Sequence, residues 1–490
     1  MRFAVLVAHF ATALSLATQV ACGEAKPNII VILTDDQGFA DLGIQGSVDD
    51  VRTPHIDALA KSGVRMTHGY VTAPQCVPSR AALLTGRYQQ RFGLELNSQG
   101  PLPLQELTIA ERLKPAGYVS GMVGKWHLDG TPSKRQAGAA LEPGSKLSPQ
   151  GEPDGRTAKE RSAPDPRFLP EHQGFDEFFA GSRHRYTASH DLEGRPLSGG
   201  ARRVIDARFR IDLQTEAALS FIRRHAGEPF FLYLAYSAPH APLEAASKYV
   251  DRFPDAKGER KLGLAMISAM DDGVGRIVSV LRELALEDGT LIFFASDNGA
   301  QLRKDAWNGS LNTPLVGGKG LLTDGGIRVP FIVSWKGVLP AGMVYEHPVS
   351  SLDIAATALA AAGIPATSEL DGVDLAPFLL GETAEMPHPA LYWRWRSQAA
   401  IRKGRWKLVK LANEQSFLFD LESAEGERSN VIASHPELAA SLDTELREWA
   451  SQFAQKELPE VANEKARNWY KEHVRTPRQE TTSGAGSAPP

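Results

Sequence analysis

Residues 28–38 read NIIVILTDDQG, a run of mostly β-branched apolar residues that ends in two aspartates. Three later apolar runs also end in polar or charged groups, at residues 117–127 (GYVSGMVGKWH), 229–240 (PFFLYLAYSAPH) and 291–299 (LIFFASDNG). Near-continuous apolar runs of this length are typical of strands that are buried on both faces of a parallel sheet. The four runs therefore predict the central strands of such a sheet.

Helical patterns lie between these runs. One pattern starts at Thr53, has Pro54 in its first turn and stops near Gly63. Another covers residues 264–284, where apolar residues recur along one stripe. Strands that alternate with helices predict an α/β sandwich.

The composition excludes several classes of protein. The chain has 490 residues, of which 42% are hydrophobic and 23% are charged, as is ordinary for a globular protein. These values rule out a fibrous, mostly disordered or polytopic membrane protein. The 54 Lys and Arg against 58 Asp and Glu give a formal net charge of −4, so no basic excess points to nucleic acid as a partner.

The first residues predict a secretory signal peptide over residues 1–23. Arg2 precedes an apolar stretch at residues 3–17 that is too short for a convincing membrane span. Cleavage is expected after Gly23 or after Ala25. The protein is therefore expected to be secreted or periplasmic, with no integral membrane segment after cleavage. Lipoprotein anchoring at Cys22 and a buried N-terminal helix are less favoured alternatives.

Carboxylate and amide side chains follow two of the predicted strands. Ligands in open α/β sheets bind outside the carboxyl ends of the strands, so these groups should converge there if the strands are parallel neighbours. Each aspartate alone is more often a turn residue or a helix cap. Together, oxygen ligands without zinc-like His or Cys spacing favour Ca²⁺ or Mg²⁺. The candidate ligands are Asp35, Asp36, Asp297 and Asn298.

Cationic and proton-shuttling residues accompany these oxygen ligands. A divalent cation that is flanked by several cationic side chains suits a tetrahedral oxyanion, either phosphate or sulfate. For each of these residues, a surface charge or a satisfied core histidine is the alternative interpretation. The candidates are Arg80, Lys125, His127, His240 and Lys319.

The chain has only two cysteines, Cys22 and Cys76, so an exported protein would keep one unpaired thiol after loss or acylation of Cys22. Residues 76–87 read CVPSRAALLTGR, in which Pro78 is placed to start a helix and Gly86 to end it. Cys76 would then lie at a positive helix N-terminus, a suitable place for a nucleophile that faces an anion. A small buried hydrophobe is the simpler interpretation.

This stretch resembles a sequence signature, Cys-x-Pro-Ser-Arg followed by Thr-Gly-Arg. The signature is that of the type I, formylglycine-dependent sulfatases, which belong to the alkaline-phosphatase-like superfamily. The similarity runs from about residue 26 to about residue 446. It extends to the Asp-Asp-Gln-Gly, Gly-Lys-Trp-His-Leu, Ala-Pro-His, Asp-Asn-Gly and Gly-Gly-Lys-Gly elements at residues 35–38, 124–128, 238–240, 297–299 and 317–320. Asp129 and Asp324 stand where the family usually has Gly and Glu.

The resemblance implies a fold, a cofactor and a modification. The fold would be a large mixed, mostly parallel sheet sandwiched by helices, with a small C-terminal antiparallel sheet and a helix. Ca²⁺, with Mg²⁺ as the alternative, would be held by Asp35, Asp36, Asp297, Asn298 and residue 76. Cys76 would be converted to Cα-formylglycine (3-oxoalanine) by a formylglycine-generating or other sulfatase-maturing enzyme.

The resemblance also implies catalytic roles. The hydrated aldehyde at residue 76 would attack sulfur. His240 and Lys319 would bind the sulfate and the bridging oxygen, and one of them would protonate the leaving alkoxide. Arg80 and Lys125 would hold the hydrate. His127 would take a proton from its second hydroxyl and so eject sulfate.

The predicted function is therefore an exported sulfatase that hydrolyses sulfate esters. A sulfated polysaccharide or oligosaccharide is the expected substrate, because the protein is predicted to be exported and because such glycans are the family's usual substrates. Two alternatives stay open: a phosphonate monoester or phosphodiester hydrolase of the same superfamily, and a non-catalytic glycan-binding protein.

The predicted organisation has four parts. The signal peptide is followed by a catalytic domain at residues 24–385, a C-terminal α+β subdomain at residues 386–465 and a disordered tail at residues 476–490. Within the catalytic domain, residues 131–167 are rich in Gly, Pro, Ser, Lys and Glu, which predicts a flexible insertion.

Two further hypotheses concern the substrate. Arg183 and His184 are proposed to bind an anionic sugar, and a solvated basic loop is an equally good interpretation. Trp393 and Trp395 share one face of a predicted strand and could stack on a sugar, but packing in the core is favoured.

Overall fold

The structure is a computed structural model that describes the chain except at its ends, in one long internal segment and at a few other positions. The described residues are 26–130, 165–182, 184–302, 307–365, 367–455 and 457–476. The predicted signal peptide with Cys22, most of the predicted insertion, Arg183 and residues 477–490 of the predicted tail lie outside the described residues, so the interpretations of these segments stay predictions.

The four apolar runs form neighbouring strands in the middle of a ten-stranded sheet. The strands are, in chain order, β1 (Asn28–Asp35), β2 (Val64–Met66), β3 (Gly69–Tyr70), β4 (Val119–Gly124), β5 (Glu177–Ser182), β6 (Arg185–Ala188), β7 (Arg202–Ile205), β8 (Phe230–Pro239), β9 (Thr290–Ser296), β10 (Phe331–Trp335), β11 (Met343–Tyr345), β12 (Val349–Ser350), β13 (Leu391–Trp395), β14 (Gln398–Lys403), β15 (Trp406–Leu411) and β16 (Gln415–Asp420). The order in the large sheet is β11-β2-β10-β9-β1-β8-β4-β5-β6-β7.

Strand β1 lies between β8 and β9, and it is parallel to both. Strand β4 is parallel to β8 on the far side. Strands β10, β6 and β7 run antiparallel to their neighbours, so the sheet is mixed but mostly parallel in its centre. The predicted fold class is therefore confirmed.

Helices cover both faces of this sheet. In chain order they are α1 (Pro54–Ser62), α2 (Cys76–Thr85), α3 (Ile109–Leu113), α4 (Arg210–Arg224), α5 (Ser247–Val250), α6 (Gly258–Glu283), α7 (Asp324–Ile327), α8 (Asp353–Ala361), α9 (Ala376–Leu379), α10 (Pro436–Ala450) and α11 (Glu464–His473). Alternate residues of β1 enter two separate cores, one shared with α2, α3 and α8 and the other with α1, α4 and α6. None of the described helices is long and apolar enough to cross a lipid bilayer.

Two predicted helices differ from the observed ones at their ends. The long helix was predicted from residue 264, but α6 begins at Gly258, because its first turns are charged and lie outside the apolar stripe. A helical pattern also covers residues 436–453 of the sequence, and the observed helix, α10, ends three residues earlier, at Ala450. Helix α11 was not predicted, because its sequence carries few apolar residues.

Strands β13 to β16 form a four-stranded antiparallel sheet in chain order. One face of this C-terminal sheet packs against α10, and the other packs against Tyr70 and the segment around α7. Trp393 is buried, and its indole N–H donates to the carbonyl of Val71 at 2.7 Å. Trp395 is also mostly buried, so both tryptophans belong to the packing between the two sheets.

Candidate active site

The ends of β1 and β9 place three carboxylates side by side. Asp35 is the last residue of β1, and Asp297 and Asn298 follow β9 directly. Asp36 adopts a left-handed backbone with a φ of +61°, and its N–H donates to Asp297 Oδ1 at 3.1 Å. Because the two strands are parallel neighbours, their polar ends meet at one edge of the sheet.

Helix α2 brings Cys76 to the same edge. The helix begins at Cys76, two residues before the predicted start at Pro78, and ends as predicted at Gly86, whose φ of +67° is left-handed. The Cys76 thiol lies 3.7 Å from Asp35 Oδ1 and 3.9 Å from Asp36 Oδ1. Burial, with a contribution from Asp297, raises the pKa of the thiol to about 12, so a free thiol here is protonated at neutral pH.

One cation pairs with each carboxylate. Lys125 Nζ lies 2.7 Å from Asp35 Oδ1, and Lys319 Nζ lies 2.6 Å from Asp36 Oδ1 and 3.3 Å from the Cys76 sulfur. The fully buried Arg80 donates from Nε to Asp297 Oδ2 at 2.9 Å and from Nη1 to the Lys125 carbonyl at 2.8 Å. Three positive and three negative side chains therefore surround residue 76.

These neighbours decide the charge states of the carboxylates. Burial alone would raise the pKa of Asp35, but Lys125 and His240 hold it well below its usual range. The pKa of Asp36 is lowered in the same way, because Lys319 opposes the effect of burial. Burial dominates at Asp297, whose pKa is raised despite the pairing with Arg80.

Two histidines complete the site. His240 follows β8; its Nδ1 lies 2.6 Å from the Ala241 carbonyl and its Nε2 lies 3.7 Å from Asp36 Oδ2. Its side chain is 31% exposed, so it lies at the open side of the cluster. His127 follows β4, and burial together with Lys125 and Arg80 lowers its pKa well below 6.5. His127 is therefore neutral at pH 7 and able to accept a proton.

The donor set fits a hard divalent cation. Asp35, Asp36, Cys76 and Asp297 each offer an atom within 4.8 Å of the others. Asn298 donates from Nδ2 to Asp36 Oδ1 at 2.7 Å, whereas its buried Oδ1 has no hydrogen-bond partner among the described residues. An orphaned amide oxygen beside three carboxylates is the chemistry that Ca²⁺ or Mg²⁺ takes.

The structure brings together all the residues that the sequence singled out for the metal and the reaction. His184 lies in the turn between β5 and β6, where Nε2 is 3.4 Å from Glu244 Oε2. Arg183 is outside the described residues. The hypothesis that His184 contacts substrate stays a prediction.

Sequence reasoning missed Arg210, the first residue of α4. Its Nη2 donates to the carbonyls of His240 at 2.6 Å and Pro242 at 2.8 Å, on either side of the carbonyl that His240 Nδ1 contacts. Arg210 is buried and therefore fixes the loop that carries His240. A lone arginine at the start of a helix belongs to no motif, so nothing in the sequence indicates this contact.

The edge of the sheet thus places Cys76 among three carboxylates and three cationic side chains, an arrangement that fits a hydrolase of the alkaline-phosphatase-like class. The sulfatase family profile matches residues 27–364, and the profile described as N-sulphoglucosamine sulphohydrolase, C-terminal, matches residues 318–452. The chain belongs to the sulfatase family.

Curated relatives agree with this assignment. The chain is 34% identical to N-acetylgalactosamine-6-sulfatase of Canis lupus familiaris over 80% of its own length and 74% of the relative. It is 32% identical to arylsulfatase A of Bos taurus over 87% of each chain. The activity that these relatives share is hydrolysis of sulfate esters, so this protein is a sulfuric ester hydrolase.

Solved structures resemble the whole described fold. The crystal structure of Ps i-CgsB in complex with k-i-k-neocarrahexaose is 32% identical, with a TM-score of 0.72 over 91% of this chain and 97% of the other. A phosphonate monoester hydrolase from Silicibacter pomeroyi has a TM-score of 0.63 over 87% of this chain and 94% of the other. At 22% identity, it shows the shared fold alone.

Arg210 is expected to support catalysis through the loop that carries His240. Arg210→Gln is expected to lower kcat/KM for 4-nitrophenyl sulfate about tenfold, because hydrogen bonds to a charged group contribute about 1.5–3 kcal/mol. Arg210→Lys, which keeps the charge, should lie between this variant and the wild type. Arg208→Ala is the matched control, since Arg208 is exposed and pairs with Asp206. Wild-type activity in Arg210→Gln would show that the loop around His240 needs no such support.

Proposed function

We propose that this sulfatase removes sulfate from a sulfated polysaccharide or oligosaccharide, through a formylglycine at residue 76 and a bound calcium ion. The central position of Cys76 among three carboxylates and three cations carries this proposal. The names of two relatives support the substrate class, because one is an N-acetylgalactosamine-6-sulfatase and one solved structure contains a neocarrahexaose.

The roles of the side chains follow from their charges and positions. A hydrated formylglycine at residue 76 would supply the nucleophilic hydroxyl. Asp35, Asp36, Asp297, Asn298 and residue 76 would hold a divalent cation, which would supply Lewis-acid stabilisation of the charge on the sulfate oxygens. Lys319 and Lys125 place their ammonium groups beside residue 76. There they would face the negative charge of a bound sulfate ester. Arg80 holds the Asp297 carboxylate and so fixes the frame of the site.

Proton transfers are assigned to the two histidines and to Lys319. The leaving oxygen of a sugar is a poor leaving group, so a proton donor is needed, which typically contributes about 10²–10⁴ in rate. His240 and Lys319 lie on either side of Asp36 and are the candidates for this donor. His127, which is neutral at pH 7, is proposed to take a proton from the nucleophilic group so that sulfate can leave.

Export and maturation belong to the same proposal. Residues 1–23 have the sequence of a secretory signal, so the protein is proposed to act outside the cytoplasm, secreted or in the periplasm. A formylglycine-generating or other sulfatase-maturing enzyme is the proposed partner. The domain limits of residues 24–385 and 386–465 also stay proposals.

Mass spectrometry of the peptide that contains residue 76 tests the modification directly. Conversion replaces the thiol by an aldehyde, so the peptide loses sulfur and gains reactivity towards hydrazides. An active preparation in which residue 76 is entirely an unmodified cysteine would refute the mechanism. A comparison of kcat/KM for an aryl sulfate and a phenyl phosphonate separates the sulfatase from the phosphonate hydrolase alternative.

Removal of the proposed metal ion is expected to affect both activity and stability. EDTA is expected to abolish turnover and to lower the melting temperature, because an ion that binds only the folded state stabilises it by about 2.7 kcal/mol at a hundredfold excess over Kd. Ca²⁺ should restore both quantities. Asp36→Asn should remove the calcium-dependent rise in melting temperature, whereas Asp50→Asn, at a carboxylate outside the site, should keep it. A melting temperature that is unaffected by EDTA and Ca²⁺ would contradict the proposed metal site.

A further inference from the structure

The turn between β13 and β14 carries an arginine in an unusual backbone conformation. Trp395 pairs with Gln398, so only Arg396 and Ser397 form the turn. Arg396 has a φ of +55°, in the left-handed region where glycine or asparagine is normally found in two-residue hairpins. A long charged side chain at this position costs free energy that a glycine would avoid.

Trp395, which directly precedes the turn, contacts residues that are adjacent in sequence to Cys76 and to Lys319. The Trp395 indole N–H donates to Gln75 Oε1 at 3.2 Å, and Gln75 immediately precedes Cys76. The far edge of the same indole, at Cη2, lies 3.5 Å from where a Cβ on Gly320 would be, and Gly320 immediately follows Lys319. The C-terminal sheet therefore reaches the site through Trp395.

Two further hydrogen bonds fix the turn in place. Gln398 Nε2 donates to the Gly320 carbonyl at 3.1 Å, so the residue after the turn is tied to the segment that carries Lys319. Gln75 Oε1 also accepts from the Asn97 N–H at 3.2 Å, so the acceptor for Trp395 is held independently. The position of Arg396 is thus set by the same segments that set residue 76 and Lys319.

Arg396 presents an unneutralised charge. Its guanidinium carbon lies 5.0 Å from the centre of the Trp395 ring, which is a cation–π contact. The residue is exposed, and within the described part of the chain no carboxylate lies within ion-pair distance of it. By contrast, Arg394 pairs with Glu95, and Arg405, over the ring of Trp406, pairs with Asp420.

We propose that Arg396 binds a second anionic group of the substrate, a sulfate or a carboxylate on the same glycan as the reacting sulfate ester. The inference rests on the proposed glycan substrate and adds a requirement for a doubly charged one. Guanidinium matches the geometry of both anions through paired hydrogen bonds. The Trp395 ring, which lies beside Gln75 and Gly320, restrains the guanidinium, and the lack of a carboxylate within ion-pair distance among the described residues leaves its donors available.

The test measures binding, so it does not depend on conversion of residue 76. Calorimetry in the Cys76→Ala background compares three probes: N-acetylgalactosamine 6-sulfate, N-acetylgalactosamine 4,6-disulfate, and glucuronyl-β-1,3-N-acetylgalactosamine 6-sulfate. The protein with Arg396 is expected to bind at least one doubly charged probe about tenfold more tightly than the monosulfate, as a charge-assisted contact provides. The doubly charged probe that binds more tightly identifies the second anion as a sulfate or as a carboxylate.

Arg396→Ala should bring the affinities for singly and doubly charged probes within about twofold of each other, and Arg396→Lys should retain part of the difference. Arg405→Ala is the matched control and should retain all of it. Equal affinities in the protein with Arg396, no binding of either doubly charged probe, or an unchanged preference in Arg396→Ala would each overturn the proposal. Turnover of 4-nitrophenyl sulfate by the Cys76 protein tests the sulfatase function separately.

Discussion

Cys76→Ala is expected to lower kcat for sulfate ester hydrolysis by roughly 10⁴-fold or more, the loss that follows removal of a covalent nucleophile. Alanine has neither the thiol that is converted nor any group that can attack sulfur. The protonated thiol of the unmodified residue is also a poor nucleophile, because burial raises its pKa to about 12. Single-turnover and steady-state rates on 4-nitrophenyl sulfate measure the effect.

Two further variants make this result specific. Cys76→Ser should also be strongly impaired, because a serine ester of sulfate has no second hydroxyl from which His127 could remove a proton. Ser79→Ala, one turn further along α2 and buried, is the control for general disturbance of the helix and should retain most activity. Substantial activity in Cys76→Ala would mean that residue 76 is not the nucleophile.

Lys407→Met is expected to reduce the free energy of unfolding by about 3–5 kcal/mol, since it removes the buried cation that two buried carboxylates share. Lys407 is 0% exposed and lies 2.7 Å from Asp324 Oδ1 and 2.8 Å from Glu427 Oε1. Asp324 belongs to α7 and Glu427 follows β16, so the lysine joins the C-terminal sheet to the catalytic part. Urea denaturation measures the loss as a lower midpoint.

Controls for Lys407 follow from its neighbours. Lys403→Met, at an exposed lysine that pairs with Glu445, should change stability by less than about 1 kcal/mol.

Burial raises the pKa of Glu427 from 4.5 to about 7, although Lys407 opposes this. A carboxyl with a raised pKa stabilises the fold below pH 4.5 and loses this contribution as the pH rises to about 7. Glu427→Gln should remove that pH dependence of stability. An unchanged urea midpoint in Lys407→Met would refute the stabilising role of the buried ion pair.

Most of the central sheet was predictable because its strands are buried on both faces. In β1 every residue must be apolar or small enough to pack, so the run of residues 28–34 stands out from the sequence. The antiparallel strands β6 and β7, at one end of the sheet, were not predicted, because exposed strands such as Arg202–Ile205 carry no such run. The start of α6 was misplaced because its first residues are mostly charged and precede the apolar stripe.

The candidate site was predictable to the extent that motifs mark it. Asp35 and Asp297 could be placed together because the ends of parallel strands meet. The helix at Cys76 was predicted, but the burial that raises the pKa of its thiol depends on tertiary packing and could not be predicted from the sequence. Arg210 and Arg396 act through tertiary contacts that no local pattern encodes, so only the structure reveals them.

The position of β1 in the sheet has a consequence for biosynthesis. Ile29 pairs with Phe231 and with Leu291, which follow it by about 200 and 260 residues. Such distant pairings close large loops and form late. A ribosome must therefore complete more than half of the polypeptide before Asp35 and Asp297 can meet. The proposed maturing enzyme would have that interval to reach residue 76, which is 1% exposed in the folded chain.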